Sequence, residues 1–240
     1  VRVHRFKAVS GMPVATPVYD LIEIGAGGGS IARVDDLGLI RVGPESAGSD
    51  PAPACYGLGG EAPTVTDADL ALGYLNPDFF LGGDMRLDRA RAEAAITSRV
   101  ATPAALDPAH AAAGIHAIVN ETMASAGRVY IADKGKSAAA LALVVTGGAG
   151  PVHAVGLARR LGCRRVVVPP LAGVMSSLGL LAAPMAFERT RPVNRRLAGL
   201  DVAAVAHDLA ELAAEATAML PADATPEIRR SADLRYHGQD

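Results

Sequence analysis

No apolar run in this chain approaches the roughly 20 residues that a membrane-spanning helix needs, so a span is not expected. Charge bias is missing too. Lys and Arg number 23 against 25 Asp and Glu, for a net charge of −2, with both signs spread along the chain. No basic face results, which argues against nucleic acid as a partner. Cysteine is scarce. Cys55 and Cys163 form neither a disulfide framework nor a metal-ligand spacing. Histidine–carboxylate pairs at metal-site spacing are also lacking, so no metal ligand is expected among these residues. No signal peptide opens the chain, and a reducing cytoplasm fits the cysteine usage. Lysine is rare beside arginine and alanine, a composition in keeping with a GC-rich bacterial genome.

What is present is bulk for a core. The chain has 240 residues, 50% of them hydrophobic, enough for one domain or one domain and a small lobe. It begins at Val1, already strand-like, and stops just after another strand-like run. Both ends read as cuts in a longer polypeptide.

The pattern along the chain is α/β. Residues 14–24 read as extended and run into Gly25-Ala26-Gly27-Gly28-Gly29-Ser30. Residues 31–34 and 39–42 read as a hairpin closed by Asp35-Asp36-Leu37-Gly38. Residues 43–65 are rich in Gly, Pro and Ala and have no period, the mark of a long functional loop. Thr66 is the expected N-cap of a short helix with Asp67 and Asp69 in its first turn. Asp88 is expected to cap a helix to about residue 100, and Asp107-Pro108 to open a long one to about residue 132. Ile115, Ile118, Val119, Thr122, Ala126 and Val129 recur there at helical spacing. Strand 141–145, helix 152–161 and strand 165–168 form a β-α-β unit with a parallel pair. A short helix near 175–181, a strand at 185–193, a helix at 201–220 and a strand at 228–236 complete the reading. The expected layout is a strand, hairpin and long loop over residues 1–65, then an α/β core over 66–240.

The most informative segment is Thr146-Gly147-Gly148-Ala149-Gly150-Pro151-Val152-His153-Ala154. A strand, a glycine-rich turn and a helix bring backbone N–H groups up to a nucleotide. Glycine leaves room for that approach because it has no Cβ. A turn that only packs helix on sheet has the same pattern. Neither glycine loop has the full G-x-G-x-x-G spacing of a dinucleotide site.

Several segments in one order resemble the hydantoinase A/5-oxoprolinase family. They are residues 24–32, the run from Gly43-Pro44-Glu45-Ser46-Ala47-Gly48 through Ala54-Cys55-Tyr56-Gly57 to Pro63-Thr64-Val65-Thr66-Asp67-Ala68, and Gly147-Gly148-Ala149-Gly150-Pro151-Val152-His153-Ala154. Val174-Met175-Ser176-Ser177-Leu178-Gly179-Leu180-Leu181 and the closing Asp233-Leu234-Arg235-Tyr236-His237-Gly238-Gln239 add to the match. The resemblance implies part of an actin-like ATPase lobe of the sugar kinase/Hsp70/actin kind, with a mixed sheet flanked by helices. It implies ATP and Mg²⁺ as cofactors and phosphorylation of the amide oxygen of a cyclic amide before ring opening. It further implies a hydantoinase B-like subunit or domain as partner, and an oligomer. A ketone-carboxylase subunit, acting on a small ketone, is the alternative within the family. A non-catalytic docking segment is the alternative outside it.

Two departures from the family pattern stand out. The phosphate-binding signatures of Asp-x-Gly-Gly-Thr-x-x-Asp type are absent, and the Mg²⁺ ligands with them; both would lie upstream of Val1. The histidine that hydantoinase and oxoprolinase branches place before the first glycine loop is replaced by Leu21-Ile22-Glu23-Ile24. That weakens a hydantoin or 5-oxoproline substrate and leaves the carboxylase-like branch open.

The candidate nucleotide contacts implied are Gly147, Gly148, Ala149 and Gly150, then Gly27, Gly28, Gly29 and Ser30 as an anion nest or a cleft-facing turn. Asn120 and Glu121, in mid-helix, are candidates for the adenosine side. Asp67 is a helix-terminal charge worth ~0.5 kcal/mol, and the resemblance adds a cleft or substrate role. Cys55 has no base nearby in sequence and is not read as a nucleophile. Cys163 reads as a small buried residue. His153 either approaches the ligand or packs, and His110, His116 and His207 read as ordinary helix residues.

Overall fold

The computed structural model describes residues 2–3, 17–18, 21–193 and 195–236. It divides into two compact units, Val1–Ser177 and Leu178–Asp240.

In the first unit, β1 (Arg2–Val3) pairs antiparallel with β2 (Pro17–Val18). Residues 21–24, expected as extended, join no strand; residues 14–16, 19 and 20 lie outside the described residues. β3 (Ser30–Val34) and β4 (Ile40–Ser46) form the expected hairpin. Asp35 builds its turn: one carboxylate oxygen accepts from the Leu37 and Leu39 amides, the other from Arg41 Nε at 2.7 Å.

Helix α1 (Val65–Ala71) starts two residues earlier than expected, because Thr64 and not Thr66 is its N-cap. The Thr64 hydroxyl accepts from the Asp67 amide, and the Asp67 carboxylate accepts from the Thr64 amide. This reciprocal capping box satisfies two otherwise orphaned donors. Asp88 caps α2 (Arg89–Ile96), which continues as a π-type turn over Thr97–Ala101. Asp107 and Pro108 open α3 (Pro108–Asp133) as the sequence indicates.

These elements share one core. Ala32, Val65, Ala68, Ile96, Val100, Ala111, Ala112, Ile115 and Val119 are buried against one another. The many alanines let the helices approach closely. A second cluster of Cys55, Leu70, Leu87 and Ala92 closes the long loop over α1 and α2.

The β-α-β unit follows. β5 (Ala142–Val144) lies parallel to β6 (Arg165–Val167), joined through α4 (Gly150–Leu161). The expected mixed sheet is thus three separate two-stranded ladders among the described residues. Helix α5 (Met175–Ala182) comes next.

The second unit carries α6 (Val202–Thr217), capped by Asp201. Arg191 reaches Asp208, Glu211 and Glu215 along it at 3.0, 2.7 and 3.4 Å. The strands expected at 185–193 and 228–236 are not formed among the described residues. No ladder there takes them in, and Met185, Val193, Ile228 and Leu234 are exposed.

Candidate functional site: two glycine loops over a buried triad

The first glycine loop is a tight turn. The Gly27 amide donates to Ser30 Oγ at 3.0 Å, and the Ser30 amide donates back to the Gly27 carbonyl at 3.0 Å. That use of two N–H groups narrows the anion nest expected there. Thr66 anchors the turn: its amide and its hydroxyl both donate to the Gly28 carbonyl, at 2.8 and 2.9 Å. A Cβ on Gly28 would stand 2.8 Å from Thr66 Oγ1, and one on Gly29 would stand 2.8 Å from Ser46 Oγ. Both glycines are therefore required by the protein's own packing. A Cβ on Gly27 meets nothing within 4 Å.

The second loop comes to the first. The Cβ position of Gly28 lies 3.6 Å from Ala149 Cβ. Gly147 has φ +88°, which favours glycine, and its amide donates to the Ala172 carbonyl at 2.8 Å. Cβ atoms on Gly147 and Gly148 would point into open space, while one on Gly150 would meet Val145 at 2.9 Å. No side chain caps the N-terminus of α4 at Ala149. That end carries the positive pole of the helix. Two glycine loops, 120 residues apart in sequence, thus meet beside an uncapped helix end, with Gly27, Gly147 and Gly148 open.

The two candidates on α3 part company. Asn120 is fully buried, and both its amide nitrogen and oxygen lack a hydrogen-bond partner in the protein. A Cβ on Gly156 of α4 would stand 2.8 Å from Asn120 Nδ2, so the amide occupies the α3–α4 crossing. Glu121 instead faces out. It pairs with Arg128, and with Arg160 at 3.3 Å. The Arg128 hydrogen bond holds its carboxyl below the usual carboxylate range. Those arginines are what its carboxylate meets in the protein.

Asp67 requires a correction to the cleft reading. It is fully buried. One oxygen accepts from the Cys55 amide at 2.7 Å, the other from the Ala54 and Thr64 amides and the Thr64 hydroxyl. The carboxylate is saturated by the protein and ties the long loop to α1. Cys55 beside it is buried, and burial with the nearby Asp67 charge pushes its thiol well above the ordinary value. It is a core residue and no nucleophile.

The structure also gathers a group that sequence spacing did not reveal. Asp69 of α1, His116 of α3 and His153, in the first turn of α4 after the second glycine loop, meet in the interior. Asp69 Oδ1 lies 2.7 Å from His116 Nδ1, and Asp69 Oδ2 lies 3.4 Å from His153 Nε2. The second approach brings the groups together but is not aligned as a hydrogen bond, since both His153 nitrogens are buried without a partner. The imidazoles stack with centroids 4.8 Å apart, and Tyr74 tilts against His116 at 4.9 Å. Burial pushes the Asp69 carboxyl up, but the facing imidazoles outweigh it and leave it below its ordinary value. The absence of metal ligands expected from spacing is thereby corrected: these three side chains form a set able to hold a cation. They come from three helices, so no local motif announces them. His153, two residues after Pro151, was the one available signal.

An α/β frame with paired glycine loops defines the class, and comparison with known proteins defines the family. Residues 1–189 match the hydantoinase/oxoprolinase family. The chain belongs to that family. It is 40% identical over 184 residues to the caprolactamase subunit alpha of Pseudomonas jessenii, covering 77% of this chain and 26% of that protein. It is 45% identical over 181 residues to the acetophenone carboxylase gamma subunit of Aromatoleum aromaticum, covering 75% and 24%. Among solved structures, the ATP-dependent caprolactamase of Pseudomonas jessenii matches with a TM-score of 0.70 at 35% identity, over 87% of this chain and 30% of that one. A nucleotide-free acetone carboxylase matches with a TM-score of 0.68 at 33% identity, over 86% and 30%. The chain spans 34% of an uncharacterized relative from Methanocaldococcus jannaschii and about a quarter of the two enzyme subunits. Among the described residues, no helix is long and apolar enough to cross a membrane.

Proposed function

We propose that this chain is the glycine-loop portion of an ATP-dependent enzyme that opens cyclic amides. The observation that carries the reading is the meeting of the two loops at the uncapped end of α4, with Gly27, Gly147 and Gly148 facing open space. Relatives described as ATP-dependent caprolactamase and 5-oxoprolinase support it. Fold alone does not fix chemistry, so the argument rests on these loops.

ATP, when bound, would supply the phosphoryl group that turns the amide oxygen into a leaving group, releasing ADP. The chain's own part is positioning. Gly147, Gly148, Ala149 and Gly150 would let the main chain approach the nucleotide, and the α4 N-terminus would face its negative charge. The turn at Gly27, Gly28, Gly29 and Ser30, clamped by Thr66, would hold the opposite wall. Asn120 has an unpaired buried amide at the α3–α4 crossing, beside Gly156, and is the better adenosine candidate of the α3 pair. The residues described here offer no phosphate-hairpin carboxylates, so Mg²⁺ would be held elsewhere in the parent protein. A second subunit would complete the reaction, in keeping with the subunit names of the relatives; the family resemblance implies a hydantoinase B-like one.

The ketone carboxylase reading is the second, favoured by Leu21-Ile22-Glu23-Ile24 in place of a histidine and by the 45% identity to the acetophenone carboxylase subunit. Calorimetric titration of ATP and ADP, each with Mg²⁺, tests the shared part. Saturable binding at one site per chain is expected, weaker than in the full-length enzyme. No binding to either form would overturn the reading. In the full-length enzyme, substrate-dependent ATP hydrolysis that requires bicarbonate would select the carboxylase branch.

A further inference from the structure

The buried triad has a chemistry of its own. Asp69 and His153 are 2% and 3% exposed, and each offers a ligand atom, as does His116, within 4.8 Å of the others. The two carboxylate oxygens face different imidazoles, one at 2.7 Å and one at 3.4 Å. A single carboxylate–histidine hydrogen bond would need only His116. It gives no reason for a second imidazole stacked on the first at 4.8 Å, with both of its nitrogens buried and unpartnered. Buried polar groups are almost always satisfied, and an exception calls for a specific cause. Asn120, one helical turn past His116 on α3, is buried and unpartnered as well. The three helices thus bring two imidazoles, one carboxylate and an idle amide to one small region.

We propose that Asp69, His116 and His153 form a binding site for a divalent transition cation of the zinc or cobalt kind. Two imidazole nitrogens and one carboxylate oxygen are the donor set such ions favour, whereas Mg²⁺ and Ca²⁺ favour oxygen and water. Bonds of about 2.0–2.2 Å place tetrahedral ligands roughly 3.5 Å apart. With all pairs within 4.8 Å, the widest must close by little more than ~1 Å. The ion would tie α1, α3 and α4 together through Asp69, about one turn past the Thr66 that clamps the first glycine loop, and His153, in the first turn of α4 after the second. The site is a different one from that of the nucleotide's Mg²⁺, and it stands whether or not nucleotide binds.

The test is titration of Co²⁺ into the chelator-treated 240-residue protein, followed by visible absorption, with Zn²⁺ as competitor. One equivalent, with the d–d bands of a low-coordinate site, displaced by Zn²⁺ and not by Mg²⁺, is expected. His116→Ala and His153→Ala should each weaken binding at least 100-fold, while His110→Ala and His207→Ala should not. Zn²⁺ should raise the melting temperature of the wild-type protein and leave those of the first two variants unchanged. Binding only above millimolar concentration, or binding that survives His153→Ala, would overturn the proposal. If the alanine variants do not fold, X-ray absorption of the zinc-loaded wild-type protein decides: two imidazoles and at least one oxygen support the site, and fewer than two imidazoles refute it.

Discussion

At the scale of single residues, the structure separates groups held by the protein from groups left over. Asp67 is held: three backbone amides and a hydroxyl converge on it. Asp67→Ala should leave those buried donors unsatisfied and destabilise the fold by about 2–4 kcal/mol, measured by urea unfolding. Cys55 is sealed in the same knot. In the native protein iodoacetamide at pH 8 should modify Cys163, which is partly exposed, well before Cys55. The pH dependence has a definite sign. The unfolded Cys55 thiol ionises near its ordinary value of 9.0, while the folded thiol keeps its proton to higher pH. Stability is therefore full below pH 9 and falls above it, by up to about 1.4 kcal/mol per pH unit. Unfolding of Cys55→Ala should lack that increment. Neither role was legible in the sequence, where Asp67 is simply an acidic residue early in a helix. The partners of Asp67 come from the irregular 43–65 loop, in which Cys55 itself lies and which has no period to read. The triad escaped for a related reason: 47 residues separate Asp69 from His116.

At the scale of elements, local signals served well. The Asp35–Gly38 turn, the Asp88 and Asp107 caps and the β-α-β unit with its parallel pair are all where sequence patterns place them. The α1 start was displaced by two residues, because Thr64 and Thr66 are equally good caps in isolation. The reciprocal Asp67 bond decides between them, and it suits Thr64 alone. Segments 185–193 and 228–236 fail as strands because a strand needs an edge to pair with, which a local run of residues does not report. Helix α4 allows a direct test of the α3–α4 crossing. Gly156→Ala gains about 1 kcal/mol in helix propensity. It also drives a methyl group to 2.8 Å from Asn120 Nδ2, and overpacking of that kind costs about 1–3 kcal/mol. A net loss of about 1 kcal/mol is expected in thermal unfolding, and a net gain would show that α3 and α4 are not in close contact there.

At the scale of the molecule, a small alanine-rich core joins β3, α1, α2 and α3, α4 packs on α3, and two glycine loops meet while α1, α3 and α4 share one buried triad. The α/β class and the family were legible, because the glycine loops and the 43–68 run keep their order along the chain. Which glycines face open space was not, since all read alike in sequence. Gly28 and Gly29 are filled by Thr66 and Ser46, while Gly148 is open and its backbone is not in the left-handed region. Gly148→Ala therefore leaves the protein's own packing alone and adds a methyl group only where something approaches from outside. The decisive measurement is the affinity of this variant for Mg²⁺-ATP beside that of the wild-type chain, by calorimetry, with both melting temperatures in hand. The account predicts an unchanged melting temperature and at least tenfold weaker binding, about 1.4 kcal/mol. Equal affinities in two equally stable proteins would contradict it.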